Sequence, residues 1–167
     1  MKTLAIDPGT NCGYAMAING KILACNSGVW DLANQRDEGA GMRFLKLRNH
    51  IAQLEPDVIF YERVNQRQKS NAAARVYDGI VANIQSYCEE YNIPYRGIPV
   101  QTIKKHATGK GNVNKDLMLA AARKKWNYRF TDKEHDRADA LWILDCGLKT
   151  LGNINAKLDV KIRKKRA

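Results

Sequence analysis

The order of apolar and polar positions divides the chain into short elements of two kinds. Residues 2–7 hold an apolar run, Thr3-Leu4-Ala5-Ile6, that stops at Asp7, and Pro8-Gly9 then turns the chain. This predicts a strand that ends on a carboxylate. Residues 12–18 and 21–30 predict two more strands, joined by Asn19-Gly20, a favoured hairpin dipeptide. The polar, glycine-bearing stretch 31–41 predicts a loop. Met42, Leu45, Ile51 and Leu54 fall near helical spacing, so 41–54 is expected to be a helix, broken by Glu55-Pro56-Asp57. Val58-Ile59-Phe60-Tyr61 is too short for a helix and reads as a strand. A second helix is predicted over 71–91, with Ala72, Val76, Ile80, Ile84 and Tyr87 along one side. Then come a fifth strand to Val100, a short helix over 102–107, a glycine loop over 108–113, a helix capped by Asn114, and a last helix over 134–148. Three antiparallel strands followed by helices alternating with two strands make an α/β fold: a mixed five-stranded sheet flanked by helices.

A length of 167 residues suits one domain with a substantial core, assigned to 1–150, with 151–167 as a basic C-terminal tail. The charge changes the picture more. With 28 Lys and Arg against 17 Asp and Glu, the chain carries +11, which calls for a polyanionic partner. From Arg96 to Arg129 nine basic residues stand against one acid, Asp116, and the interleaved aromatics and glycines favour nucleic acid over a membrane surface. No stretch approaches the ~18 apolar residues of a membrane span, and no secretory signal pattern opens the chain. Cys12, Cys25, Cys88 and Cys146 form no CxxC pair and read as reduced thiols, consistent with a cytoplasmic setting in a bacterial or phage-infected cell.

Ionised acids are rarely buried unless paired or bound to a metal. Alone, Asp7 before Pro-Gly is an ordinary turn residue. Glu62, however, comes after the strand 58–61 just as Asp7 comes after 3–6. On the last helix, in HDRADALWIL, Asp136 and Asp139 are three apart and face the same way, at the edge of a strongly apolar segment. Four acids converging on one point would repel strongly, and Mg²⁺ or Mn²⁺ resolves that repulsion. Two such ions ~4 Å apart activate a water and stabilise the leaving oxygen at a phosphodiester. Asp136 also suits the first turn of a helix as a dipole-pairing acid. His135, four residues before Asp139, is a further candidate as ligand, general base or supporting residue.

These pieces, AIDPGTNCGYA at 5–15, VIFYERV at 58–64, TIKKHATGKGNVNK at 102–115 and HDRADALWI at 135–143, occur in the order found in one family. The chain resembles the RuvC-type Holliday-junction resolvases of the ribonuclease-H-like nuclease superfamily, and its short length looks like a phage-borne version. The resemblance implies that Asp7, Glu62, Asp136 and Asp139 are catalytic metal ligands for Mg²⁺, with Mn²⁺ able to substitute. It implies that Lys104 and Lys115 contact DNA near the cut; Lys105 and Lys110 in the same stretch are further DNA-binding candidates. It also implies a homodimer that nicks two strands of a four-way junction symmetrically, leaving 5′-phosphate and 3′-hydroxyl ends. The polar segment NQRQKSNAAARVYDG after Glu62 departs from the aromatic-bearing loop of the bacterial enzymes. Rival readings are an actin-like ATPase, which needs two such domains, a ribonuclease-H-like nuclease for other branched DNA or structured RNA, and a non-catalytic binding module.

Overall fold

The computed structural model describes the backbone of residues 1–64 and 72–166, with side chains through Leu151. The elements are β1 (Lys2–Asp7), β2 (Asn11–Ile18), β3 (Lys21–Asp31), α1 (Met42–Leu54), β4 (Val58–Arg63), α2 (Ala72–Glu90), β5 (Tyr95–Pro99), α3 (Val100–Thr108), α4 (Lys115–Trp126) and α5 (His135–Arg166). The start of the expected second helix at 71, and residues 65–70 of the polar segment after Glu62, lie outside the described residues.

The five strands form one sheet in the order β3-β2-β1-β4-β5. β1–β2 and β2–β3 pair antiparallel, while β1–β4 and β4–β5 pair parallel. This is the mixed sheet expected from the sequence, with its three antiparallel strands first. At the β2–β3 turn Asn19 and Gly20 both adopt positive φ, 51° and 77°, as a type I′ hairpin requires.

Strand alternation sends successive side chains to opposite faces, and each face has its own core. Leu4, Ile6, Ile59 and Tyr61 pack with Leu47 and Ile51 of α1 and Ile80 and Ile84 of α2. Ala5 and Phe60 point the other way, into a core with Ile103 of α3, Met118 and Leu119 of α4, and Leu141 and Ile143 of α5. Full burial of each large side chain contributes about 1.5–3 kcal/mol, so both layers are held by the burial of their apolar faces. The indole N–H of Trp142 donates to Met118 O at 3.1 Å, tying α5 to α4.

Several boundaries differ from the sequence expectation, and β4 runs on through Glu62 to Arg63, so Glu62 lies inside the strand and pairs with Ile98. α3 begins at Val100, directly after Pro99, whose φ of −61° and ψ of 137° end the strand and start the helix without a linker. The backbone of α5 stays helical to Arg166, where the apolar periodicity predicts an end near Leu148. Residues 149–166 hold no proline and one glycine among many helix formers, so nothing local stops the helix. Asn114 caps α4 as expected, its Oδ1 accepting from Leu117 N at 3.0 Å. Among the described residues no helix is long and apolar enough to cross a membrane, and all four cysteines are free thiols.

Candidate active site

β1 and β4 are neighbours in the sheet, and the last register pair between them is Ile6↔Tyr61. The next residues are Asp7 and Glu62. Parallel neighbours lie about 4.8 Å apart, and both acids fall on the face of Ala5 and Phe60, the face that α5 covers. Two carboxylates 55 positions apart in sequence thus stand side by side, under the N-terminal turns of α5.

Asp7, Glu62 and Asp139 line one cavity of about 180 Å³, whose other walls are Val100, Ile103 and Lys104 of α3 and Lys115 and Met118 of α4. Asp136 does not line it. Its carboxylate stands at the rim, with Oδ1 3.6 Å from Lys115 Nζ. All four acids still interact: burial first, then Glu62, Asp139 and Asp136, hold the Asp7 carboxyl well above the usual carboxylate range. Burial, then the charge of Asp139, pushes Glu62 up to about 7 against the pull of Lys104 and Lys115. Burial pushes Asp139 up to about 6, with Asp136 adding to it and Lys115 opposing.

Oxygen-only donors of this density suit a hard divalent cation. Among the described residues no group of three His, Cys, Asp or Glu side chains is already arranged to hold a metal ion. The oxygen-only donor set fits Mg²⁺, which takes one or two carboxylates with waters and substrate phosphates, and lacks the Cys and His ligands of structural zinc sites.

The raised carboxyls have a consequence for stability. The folded protein retains protons that the unfolded chain releases, so this contribution is intact below the ordinary carboxylate values near 4 and is lost as pH rises towards 7. Metal-free protein should therefore melt at a lower temperature at about pH 8 than at about pH 5, and Mg²⁺ should raise the melting temperature chiefly at the higher pH. Equal melting curves with and without Mg²⁺ at both pH values would contradict the reading of these acids as a cation site.

The candidate cations divide. Lys104 lies in the acid cavity and its Nζ donates to Val113 O at 2.7 Å, which seats it against the glycine loop. Lys115 lies there too and remains largely exposed. Lys105 points to the other side of α3, and Lys110 stands exposed in the loop. His135 faces Asp116, Nε2 to Oδ1 3.8 Å, while its Nδ1 is buried without a hydrogen-bond partner among the described residues.

Two residues that set this geometry escaped the sequence reading. Gly13 pairs with Asp7 across β1–β2, and a Cβ there would lie 2.0 Å from the backbone oxygen of Asp136. Only glycine lets the start of α5 lie this close to Asp7. Arg137, between the two helix acids, donates from Nε to Ser27 Oγ at 2.9 Å and from its terminal nitrogens to Ala24 O at 2.8 Å and Glu134 Oε1 at 2.7 Å. Its guanidinium also covers the Tyr128 ring. It clamps the head of α5 to β3 and so aims Asp136 and Asp139. The sequence signal was the GYA after the Pro-Gly turn and an arginine set between acids, but neither names its partner.

No family model matches the sequence, and no curated protein matches it. Solved structures do. The Thermus thermophilus RuvC structure superposes with a TM-score of 0.70 at 19% identity, over 92% of this chain and 97% of that one. The chain has the RuvC fold. T. thermophilus RuvC in complex with a Holliday junction substrate gives 0.67 at 18% identity, over 87% and 92%. The yeast mitochondrial Holliday junction resolvase Ydc2 gives 0.61 at 21% identity, over 87% and 77%. The agreement with RuvC spans nearly all of both chains, so it embraces the flanking helices as well as the sheet. At these identities the likeness to RuvC is one of fold.

Proposed function

We propose that the protein is a divalent-metal-dependent endonuclease that resolves four-way DNA junctions by paired symmetric nicks, acting as a homodimer. The observation that carries this reading is the convergence of Asp7, Glu62 and Asp139 in one cavity walled by Lys104 and Lys115. That site sits on a fold shared with RuvC, which has been solved with a Holliday junction substrate.

Asp7, Glu62 and Asp139 would hold Mg²⁺ or Mn²⁺, with Asp136 completing the set from the rim. When bound, the cation would activate a water and neutralise charge at the phosphodiester. Lys104 and Lys115 bind the phosphates beside the acids and offset the repulsion between carboxylate and DNA. Val113 O holds Lys104 in place, whereas Lys115 is free to track the strand while remaining in reach of Asp136.

The test is cleavage of labelled four-way, three-way and linear duplex DNA and of structured RNA, with and without Mg²⁺. Cutting of the four-way junction in Mg²⁺ alone is expected. Full activity in excess chelator would end the metal proposal, and equal cutting of all substrates would replace the resolvase reading with a general ribonuclease-H-like nuclease.

The placement of the helix residues ranks their variants. Asp139→Asn should be inactive and Asp136→Asn nearly so, while His135→Ala should retain measurable cleavage. Single-turnover rates decide this; a dead His135→Ala beside an active Asp136→Asn would move the ligand to the histidine. Lys104→Ala and Lys115→Ala should each lower the slope of log affinity against log salt by about 1. A salt titration of junction binding checks it, and a flat parent response would contradict phosphate contact.

A further inference from the structure

A second groove lies on the far side of α3 from the acids. Two cavities of about 480 and 470 Å³ share Thr102 and Thr150 as walls and so form one trough along the edge strand β5. Its charged walls are Arg63, Arg96, Lys105 and Lys149, with no carboxylate among the lining residues, and His106 lines it too. Among the described residues none of the two arginines and two lysines forms an ion pair, whereas Arg48, Arg123, Lys125 and Arg137 are all paired with acids. His106 is itself held from behind by Asp145. Burial, then the Asp145 carboxylate behind the wall, raise the Cys146 thiol, and Lys149 and Arg96 oppose them, so charges from β5 and α5 meet at this wall.

The trough and the acid cavity are built from consecutive residues of the same elements. On β4, Glu62 lines the cavity and Arg63 the trough. On α3, Val100, Ile103 and Lys104 face the cavity, while Gln101, Thr102 and Lys105 face the trough. That split arises from helical spacing, in which residues three and four apart share a face. α3 is therefore a partition about one helix wide between the acid cluster and a groove lined by four basic side chains. Unmatched cations at this density repel one another unless an anion lies between them. The threonine hydroxyls and the free N–H groups of an edge strand add neutral donors of the kind that contact DNA phosphates.

We propose that this trough binds the phosphate backbone of a DNA arm flanking the cut junction, as a second nucleic-acid surface separate from Lys104 and Lys115. The inference rests on the proposed junction substrate and adds where an arm runs. It also explains Lys105, which belongs to the basic stretch of the sequence yet faces away from the acids.

The experiment compares the full chain with the variant Arg96→Ala/Lys105→Ala/Lys149→Ala. Binding is measured to junctions with arms of about one helical turn (~10 bp) or more than two turns. The parent should prefer the longer arms. The variant should lose that preference, and its salt slope should fall by about 3. A control variant, Lys21→Ala/Arg36→Ala/Arg43→Ala, removes equal charge elsewhere and should keep the arm preference. Because the triple variant loses three groups at once, Lys105→Ala alone, at an exposed site, should show a slope change of about 1. The trough is overturned by an arm preference and slope that survive in the variants, by an equal loss in the control, or by a variant whose dimer dissociates while the arm preference persists. A parent that neither binds nor cuts junctions would instead overturn the proposed function.

Discussion

Asp7→Asn and Glu62→Gln should each cut junctions at least about 1,000-fold more slowly than the parent, while binding them as tightly or more tightly. The reason is the sheet. The two acids sit on adjacent strands just beyond the pair Ile6↔Tyr61, on one face, and share a cavity with Asp139. A metal at a phosphodiester supplies several kcal/mol of charge stabilisation, and each 1.36 kcal/mol is tenfold in rate, so losing one ligand removes three decades or more. Binding responds in the opposite sense. An amide in place of a carboxylate removes a negative charge from a crowded group that also repels phosphate. Glu62 is pushed up to about 7, by burial first and then by the charge of Asp139, so its ionised form is disfavoured here. The amides preserve shape, so folding should survive. Single-turnover cleavage and gel-shift binding on one junction check both halves. Parent-like cutting by either variant would remove these residues from the site.

Gly13→Ala should be nearly as damaging, without touching a single charge. The added Cβ would meet the Asp136 backbone oxygen at 2.0 Å and lie 3.3 Å from the Asp7 Cβ. The first contact is with helix backbone, which no rotamer change relieves. α5 must tilt or shift by more than about 1 Å at its head, pulling Arg137 from Ser27 and Ala24 and carrying Asp136 and Asp139 away from Asp7. Overpacking of this kind costs about 1–3 kcal/mol or more in stability, and a displacement of about 1 Å costs about 100-fold in rate. The melting temperature and the cleavage rate should therefore fall together, while junction binding through Lys104 and Lys115 persists. A variant with unchanged melting and unchanged rate would show that α5 does not need this close approach.

The candidate site was partly legible because local rules act on it. A carboxylate that ends an apolar run points to a strand end, which holds for Asp7, whereas Glu62 falls one residue before the end of β4. Spacing of three on a helix placed Asp136 and Asp139 on one face. The same rules misjudged outcomes set by contacts between elements. Asp136 and Asp139 share a face, yet Asp139 lines the cavity while Asp136 pairs with Lys115 of α4. Lys104 and Lys105 are adjacent members of one basic stretch, yet α3 sends them to opposite sides.

By itself the sequence determined the order of strands and helices, the hairpin at Asn19-Gly20, the cap at Asn114, the mixed α/β class and the excess of positive charge. Each is set within a few residues by backbone freedom, capping or side-chain period, or by composition alone. The tertiary structure alone decided that β1 lies between β2 and β4, which makes neighbours of Asp7 and Glu62. It alone decided that the head of α5 rests on Gly13, and that α3 stands between an acidic cavity and a basic trough. Those outcomes depend on which apolar faces fit together across about 50 residues or more of chain, and packing complementarity at that range leaves no periodic mark in the sequence.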